Sequence, residues 1–421
     1  MIFNIIILIN NKTGNIDGFE EKNMKPIRWL LLSIAILGIT LLALFLRMYA
    51  SDKLYYDHDE DTYLSAALNY TNYMREGKLN WLAWDTTNFE HPSFNKIIYG
   101  LALLSEDPLS HFNKSDFAYN MPISNSQAYE YAIANRRVSV IFGSLTVLAL
   151  SILNPLAGFF LAINSLCIKY TSEIYLEALP MFTSLLSVIA FGKYVKISTH
   201  KTTKDKKPLL WLGASAVFLG ITAASKYVFC VAGLSIAIYW MRLLIRRKLY
   251  SRHIFYFLGW GIASIFFFFV FNPYLWPHPV ERFIGTFAFH LNFQEADFVK
   301  VYPFWQVIKW LFNPFAEYDP APYSAFLFRV EPVIFILAII GLPRTLRKNS
   351  LFAVWLLIGL LFLLVWGTKW PQYTMIILVP FSVAAAQGCI SIFELAKSLL
   401  IRKKNAIQSE SKPFAGDSEE S

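Results

Sequence analysis

The chain has 421 residues, 56% of them hydrophobic, 17% aromatic and only 16% charged, far below the roughly 25% charged share of soluble domains, so an ordinary soluble protein is excluded. Its net charge of +9 does not indicate nucleic acid, because the basic residues fall in short clusters between apolar runs rather than on one basic face. Cys167, Cys230 and Cys389 lie in or near apolar segments without metal-ligand spacing, which leaves neither a zinc site nor a disulfide framework and makes them small packing residues.

Residues 1–23 hold an apolar stretch too short to span a membrane, with no preceding basic region and no small-residue cleavage site, so they make a poor signal peptide. Met24 opens an ordinary membrane-protein start, and 1–23 read as an upstream extension, with Met1 as the competing start. Mostly apolar segments follow near 27–47, 137–154, 156–169, 175–195, 209–224, 227–242, 254–271, 325–342, 351–366 and 373–395. They predict an all-α, polytopic transmembrane helical bundle of about 10–12 spans, in a single domain over 24–404. Lys193, Lys196, Lys201, Lys204, Lys206 and Lys207 fill one loop, Arg246, Arg247, Lys248 and Arg252 the next, and Arg344, Arg347 and Lys348 a third. With Arg402, Lys403 and Lys404, these clusters share one side, the cytoplasmic one by the positive-inside rule, as do both termini.

The loops near 48–135 and 272–324 are then outside. In the first, Tyr63, Ala66, Ala67, Tyr70, Tyr73 and Met74 recur at helical spacing and predict an amphipathic interfacial helix. The second, "NPYLWPHPVERFIGTFAFHLNFQ", mixes aromatic anchors with helix-breaking prolines. The polar tail, 405–421, reads as disordered and cytoplasmic.

Ionisable residues gather at the outer helix ends: Asp59 and Glu60, Glu90, Arg136 and Arg137, Glu173 and Glu177, Lys226 and Lys369. Charges beside spanning segments are functional candidates because they are costly there. Each also has a plainer reading. Asp59 could cap the helix after it, His91 before Pro92 could be a turn residue, and the arginines and Lys226 could be snorkelling anchors. Glu177, one turn inside an apolar run, is harder to explain structurally. Patterning alone fits an enzyme acting on lipid phosphates and a cation-coupled transporter equally.

"DHDEDTYLSAALNYTNYMREGKLN", followed by "EHPSFNKIIYGLALL", resembles the first outer loop of the C-type membrane glycosyltransferases, in the branch of protein O-mannosyltransferases and lipid A aminoarabinose transferases. That branch carries an Asp-Glu pair, matched by Asp59-Glu60, and a His-Pro-Pro motif with a following Lys, matched by Glu90-His91-Pro92-Ser93 and Lys96 with Ser93 in place of the second proline. "RRVSVIFGSLTVLAL", "TSEIYLEALPMFTSLL", "WLGASAVFLGITAASKYVF" and "TKWPQYTMIILVP" continue the likeness in order, placing Arg136, Glu177 with Glu173 in reserve, Lys226, Lys369 and Tyr373. The resemblance implies a transferase moving a sugar from a polyprenyl-phosphate donor to an acceptor outside the cytoplasm, with inversion at the anomeric carbon. The acceptor is a protein Ser or Thr, a lipid or a glycan, and the other partners are membrane lipids.

In this reading Asp59 and Glu60 are catalytic, with Asp59 the base. Arg136, Lys226 and Lys369 stabilise the departing phosphate, and Glu90, His91, Lys96, Glu177 and Tyr373 bind substrate. Some relatives hold a divalent metal near the acids, for which Asp59, Glu90 and Glu177 would be the oxygen ligands. Without room for a soluble sugar-binding insert or carboxy-terminal domain, the chain resembles the minimal prokaryotic form, in a plasma membrane. The competing reading is a secondary transporter or lipid flippase, although transporters usually place their sites near the midplane.

Overall fold

A computed structural model describes residues 18–77, 88–107, 123–125, 128–199, 207–246, 249, 252–295, 302–314 and 329–410. Lys201, Lys204, Lys206, Arg247 and Lys248, residues 1–17 of the expected extension, 411–421 of the expected tail and parts of both long loops lie outside the described residues. The first helices are α1 (Gly18–Lys53), α2 (His58–Arg75), α3 (Phe94–Ala102), α4 (Tyr129–Leu153), α5 (Pro155–Ile163), α6 (Ser165–Tyr170), α7 (Ala178–Thr199) and α8 (Lys207–Ser225). They are followed by α9 (Val231–Ile245), α10 (His253–Val270), α11 (Pro279–Gln294), α12 (Gln306–Phe312), α13 (Glu331–Lys348), α14 (Ser350–Val365) and α15 (Met375–Glu410). Residues 405–410, expected in the tail, continue α15 as helix.

Among the described residues, 7 helices are long and apolar enough to cross a membrane, and the protein is an integral membrane protein. Other apolar segments of the sequence form shorter or interrupted helices for local reasons. The apolar run 156–169 is broken at Asn164, which ends α5 and then caps α6 by accepting the Cys167 N–H at 2.9 Å. Helix α14 has 16 residues, about 24 Å at 1.5 Å per residue, shorter than a hydrocarbon core of about 30 Å. Helix α13 ends in Arg344, Arg347 and Lys348, which dilute its apolar length.

A helix broken inside a membrane protein frees carbonyls that need donors, and Arg47 of α1 supplies them. Its guanidinium reaches the Ala162 and Leu161 carbonyls at 3.4 and 3.5 Å and the Thr171 hydroxyl at 2.8 Å. Helices α13 and α15 touch backbone to backbone at Gly341 and Gly388. A Cβ on Gly341 would lie 1.9 Å from the Ala384 carbonyl oxygen, and one on Gly388 would lie 1.9 Å from that of Leu337. Gly341→Val is therefore expected to separate these helices and lose at least about 1–3 kcal/mol, read as a lower unfolding temperature in detergent.

Helix α2 turns its Tyr63, Ala67 and Tyr70 face inward onto α3, where Gly100 sits so close that a Cβ would come within 2.8 Å of the Ala67 carbonyl. The segments joining α1 to α2, α6 to α7, α8 to α9, α10 to α11 and α14 to α15 all meet at one end of the bundle. The Asp59 site is there, while the basic ends of α9 and α13 lie at the other.

Candidate active site

Asp57 precedes α2 in an extended conformation, and Glu60 Oε2 accepts its N–H at 3.0 Å, the return bond of a capping box. The fully buried Glu60 then meets Arg136 from α4: Oε1 accepts Nε at 2.8 Å and Oε2 accepts Nη2 at 2.5 Å. Oε1 also accepts the Ile174 N–H at 2.8 Å. The other Arg136 N–H groups donate to the carbonyls of Ser51, Leu54 and Tyr55 at 2.8, 3.0 and 3.1 Å. All five guanidinium donors are occupied, as are both Glu60 oxygens. Glu60 and Arg136 are thus fully engaged with each other and with the backbone, and together they tie α1, α2, α4 and the approach to α7 into one body.

Asp59, one residue before Glu60, lies about 100° around the helix. It is half-buried and, among the described residues, has no hydrogen-bond partner. Burial, followed by the Asp57 carboxylate, raises its pKa from 3.8 to about 6; Glu177 adds to the rise, and Lys226 and Lys169 oppose it. Asp57 moves the other way: burial would raise it, but the charge and hydrogen bond of Lys169 prevail and hold it below the ordinary carboxylate value. Two neighbouring acids are thus driven apart by their surroundings, a pattern of sites that need one proton acceptor poised near neutrality.

Glu177, just before α7, pairs with Lys226, just after α8, in a buried ion pair. The second Glu177 oxygen, Oε2, has no hydrogen-bond partner among the described residues. Lys226 Nζ also sits 5.5 Å from the centre of the Tyr373 ring, a cation–π arrangement. Tyr63 stands 6.0 Å from both His91 and Tyr175, ring centre to ring centre. The structure thereby gathers Asp59, Glu177, Lys226, Tyr373 and His91 in one region.

Lys96, expected to contact substrate, instead donates to the carbonyls of Asn88 and His91 at 2.8 and 3.1 Å. It shapes the Glu90-His91 loop from beneath. Glu90 accepts from Asn88 Nδ2 at 2.5 Å, and its carbonyl meets His290 Nε2 of α11 at 3.0 Å. The Asn272 side chain holds the loop by accepting from Ser93 N and Oγ at 3.1 and 2.7 Å. Burial pulls His91 well below its ordinary pKa, with Lys226 and His290 adding to the shift, so it is neutral at pH 7.

Lys369 is likewise engaged within the protein. Its ammonium donates to the Leu363, Leu364 and Trp366 carbonyls at the end of α14, a helix-capping arrangement. Lys369→Met is expected to lose about 1–3 kcal/mol of stability, because buried carbonyls are left without donors. Thermal unfolding would show this loss, with the Michaelis constant for substrate unchanged.

Lys169 was not among the expected site residues. It lies on α6 and bonds Asp57 Oδ2 at 2.8 Å and Glu173 Oε2 at 2.7 Å. The sequence signal was present: a lysine within an apolar run, with an acid four residues on. The acids do not fit a metal ion. Among the described residues, no three His, Cys, Asp or Glu side chains gather closely enough to hold one; Glu177 is drawn to Lys226 and Glu90 to Asn88.

The helical bundle, with its ionisable cluster at one end, has the fold of the C-type membrane glycosyltransferases. Two solved structures of ArnT from Cupriavidus metallidurans resemble it. The one bound to undecaprenyl phosphate has a TM-score of 0.53 at 11% identity, and the apo form 0.51 at 12%. Each match covers 84% of this chain and 59% of that chain, so this chain spans less than two thirds of their length. The archaeal oligosaccharyltransferase AglB from Archaeoglobus fulgidus matches at a TM-score of 0.47 and 12% identity, over 93% of this chain and 53% of that one, and adds nothing to the assignment. No protein-family model matches the sequence, and the comparison with curated proteins finds no match.

Proposed function

We propose that this protein is an inverting glycosyltransferase that moves a sugar from a polyprenyl-phosphate donor to an acceptor hydroxyl on the outer face of a prokaryotic plasma membrane. The observation that carries the reading is Asp59: a half-buried carboxylate without a hydrogen-bond partner among the described residues, poised at a pKa of about 6, in the field of Lys226. In the proposed step, the acceptor O–H gives its proton to the Asp59 carboxylate as its oxygen bonds to the anomeric carbon. The bond from that carbon to the phosphate oxygen breaks, and its electron pair leaves with the polyprenyl phosphate. Lys226 offsets the charge developing on the departing phosphate. A phosphate is a weak base, so the step needs no general acid. Glu60 and Arg136 position Asp59 by fixing the first turn of α2.

The donor class is supported by the fold shared with a protein crystallised with undecaprenyl phosphate. The outward site and cytoplasmic termini are supported by Arg246, Arg344, Arg347 and Lys348 at the end of the bundle opposite Asp59. The acceptor is a protein Ser or Thr, a lipid or a growing glycan. The test is release of polyprenyl phosphate from a panel of radiolabelled polyprenyl-phosphate sugars in native membranes supplied with lysate and lipid extract. One donor is expected to be consumed; consumption of none would overturn the reading.

The raised Asp59 pKa sets the pH dependence. A base must be ionised, so kcat/KM is expected to fall about tenfold per pH unit below pH 6 and to level off above it. Stability runs the opposite way. A carboxyl whose folded pKa is raised from 3.8 to about 6 favours folding in its protonated form and loses that contribution as pH rises between those values. Asp59→Asn should therefore unfold at a higher temperature than wild type at pH 7.5, with the difference closing below pH 4.

A further inference from the structure

At the end of the bundle away from Asp59, a cavity of about 510 Å³ opens where the end of α4 and start of α5 meet α13, α14 and α15. Arg136 marks the other end of α4, and the 17 residues from it to Leu153 span about 26 Å, so this cavity is no extension of the Asp59 site. Its wall has two characters. Leu150, Leu153, Leu156, Phe352 and Ile390 make one part apolar, and Leu153, 44% exposed, carries that part onto the lipid-facing surface. Asn154, Arg344, Lys348, Asn349, Gln387 and Glu394 make the other part polar.

The polar part has donors to spare. Arg344 donates from Nε to Gln387 at 2.9 Å and from Nη2 to Glu394 at 2.9 Å, with Nη1 also on Glu394. One N–H on each terminal nitrogen remains. Lys348 is exposed and, among the described residues, has no hydrogen-bond or ion-pair partner. Asn349 precedes α14 but makes no side-chain capping bond. Two cations and one carboxylate therefore line a cavity that they share with Leu150, Leu153, Leu156, Phe352 and Ile390. Polar groups lining such a cavity at a membrane-facing seam need a polar occupant, and this charge balance favours an anion with an attached acyl chain.

We propose that this cavity binds the phosphate headgroup of an anionic phospholipid from the leaflet opposite the Asp59 site. The phosphate oxygens lie against Arg344 and Lys348, and an acyl chain follows the wall of Leu153 and Ile390. Glu394 competes with the phosphate for Arg344. Removing each charge should therefore have opposite effects, and the proposal stands independently of the activity proposed for Asp59.

The test is native mass spectrometry of the full chain extracted from phosphatidylcholine membranes containing phosphatidylglycerol. Phosphatidylglycerol is expected to be retained in preference to phosphatidylcholine. Lys348→Gln should weaken that preference about fivefold, the effect of one cation at a membrane surface, and Glu394→Gln should strengthen it. A non-specific disturbance of the fold would move both variants the same way and overturn the proposal. Retention of the two lipids in their bulk ratio would do the same. Displacement of phosphatidylglycerol by millimolar inorganic phosphate would identify a free-anion site and overturn the lipid assignment.

Discussion

Asp59→Asn folds at least as stably as wild type and loses at least about 100-fold in kcat, the low end of what a general base contributes, while the Michaelis constant for the donor changes little. The amide keeps the size of the carboxylate and can still orient an acceptor hydroxyl, but it cannot take the proton. Since Asp59 makes no hydrogen bond to a described residue, the substitution disturbs no visible internal contact. The kinetic loss is therefore expected without a structural one. Steady-state transfer measured beside thermal unfolding separates the two. Undiminished turnover would remove Asp59 from the reaction.

Arg136→Met has the largest expected effect on stability. It leaves Glu60 buried without its counter-ion and deprives the Ser51, Leu54 and Tyr55 carbonyls of their donors. Breaking a buried pair on one side typically costs about 3–5 kcal/mol, a large part of a total of about 5–15 kcal/mol. The protein is expected to be recovered in low yield with a much reduced unfolding temperature. Combining it with Glu60→Leu removes the stranded charge and should restore part of the loss. Because Asp59 remains but the pair that fixes the first turn of α2 is gone, the folded fraction of the double variant should still transfer sugar, at a reduced rate. A stable single variant that is merely inactive would return Arg136 to the reaction.

The contrast between Asp59 and Glu60 shows where sequence reading ends. Their adjacency marks the first turn of α2, and the clustering of acids and bases at one end follows from the order of apolar segments. What divides their surroundings is the rotation between successive helical residues, together with the arrival of Arg136 from 76 positions away in the chain. Neither is visible in a local pattern. Lys369 illustrates a second limit: a cation in a loop between spans looks like a ligand for phosphate, but only the path of the chain shows it folded back over the end of α14. Lys169 was hidden because 156–169 reads as one apolar span, and it is the break at Asn164 that turns this lysine toward Asp57. The stripe of α2 was legible as the apolar side of an amphipathic helix read as interfacial; in the structure Tyr63, Ala66, Ala67 and Tyr70 are instead buried within the protein. That its partner is α3 depends on Gly100, whose bare Cα permits the contact.

The central claim is a single displacement in which Asp59 acts as base and not as nucleophile. The anomeric configuration of the first product formed tests it most directly. Nuclear magnetic resonance of the glycosidic linkage, made from the donor that wild-type membranes consume, is predicted to show the opposite configuration at the anomeric carbon from the donor. A product that retains the donor's configuration would require two displacements through a glycosyl-enzyme and would contradict the account.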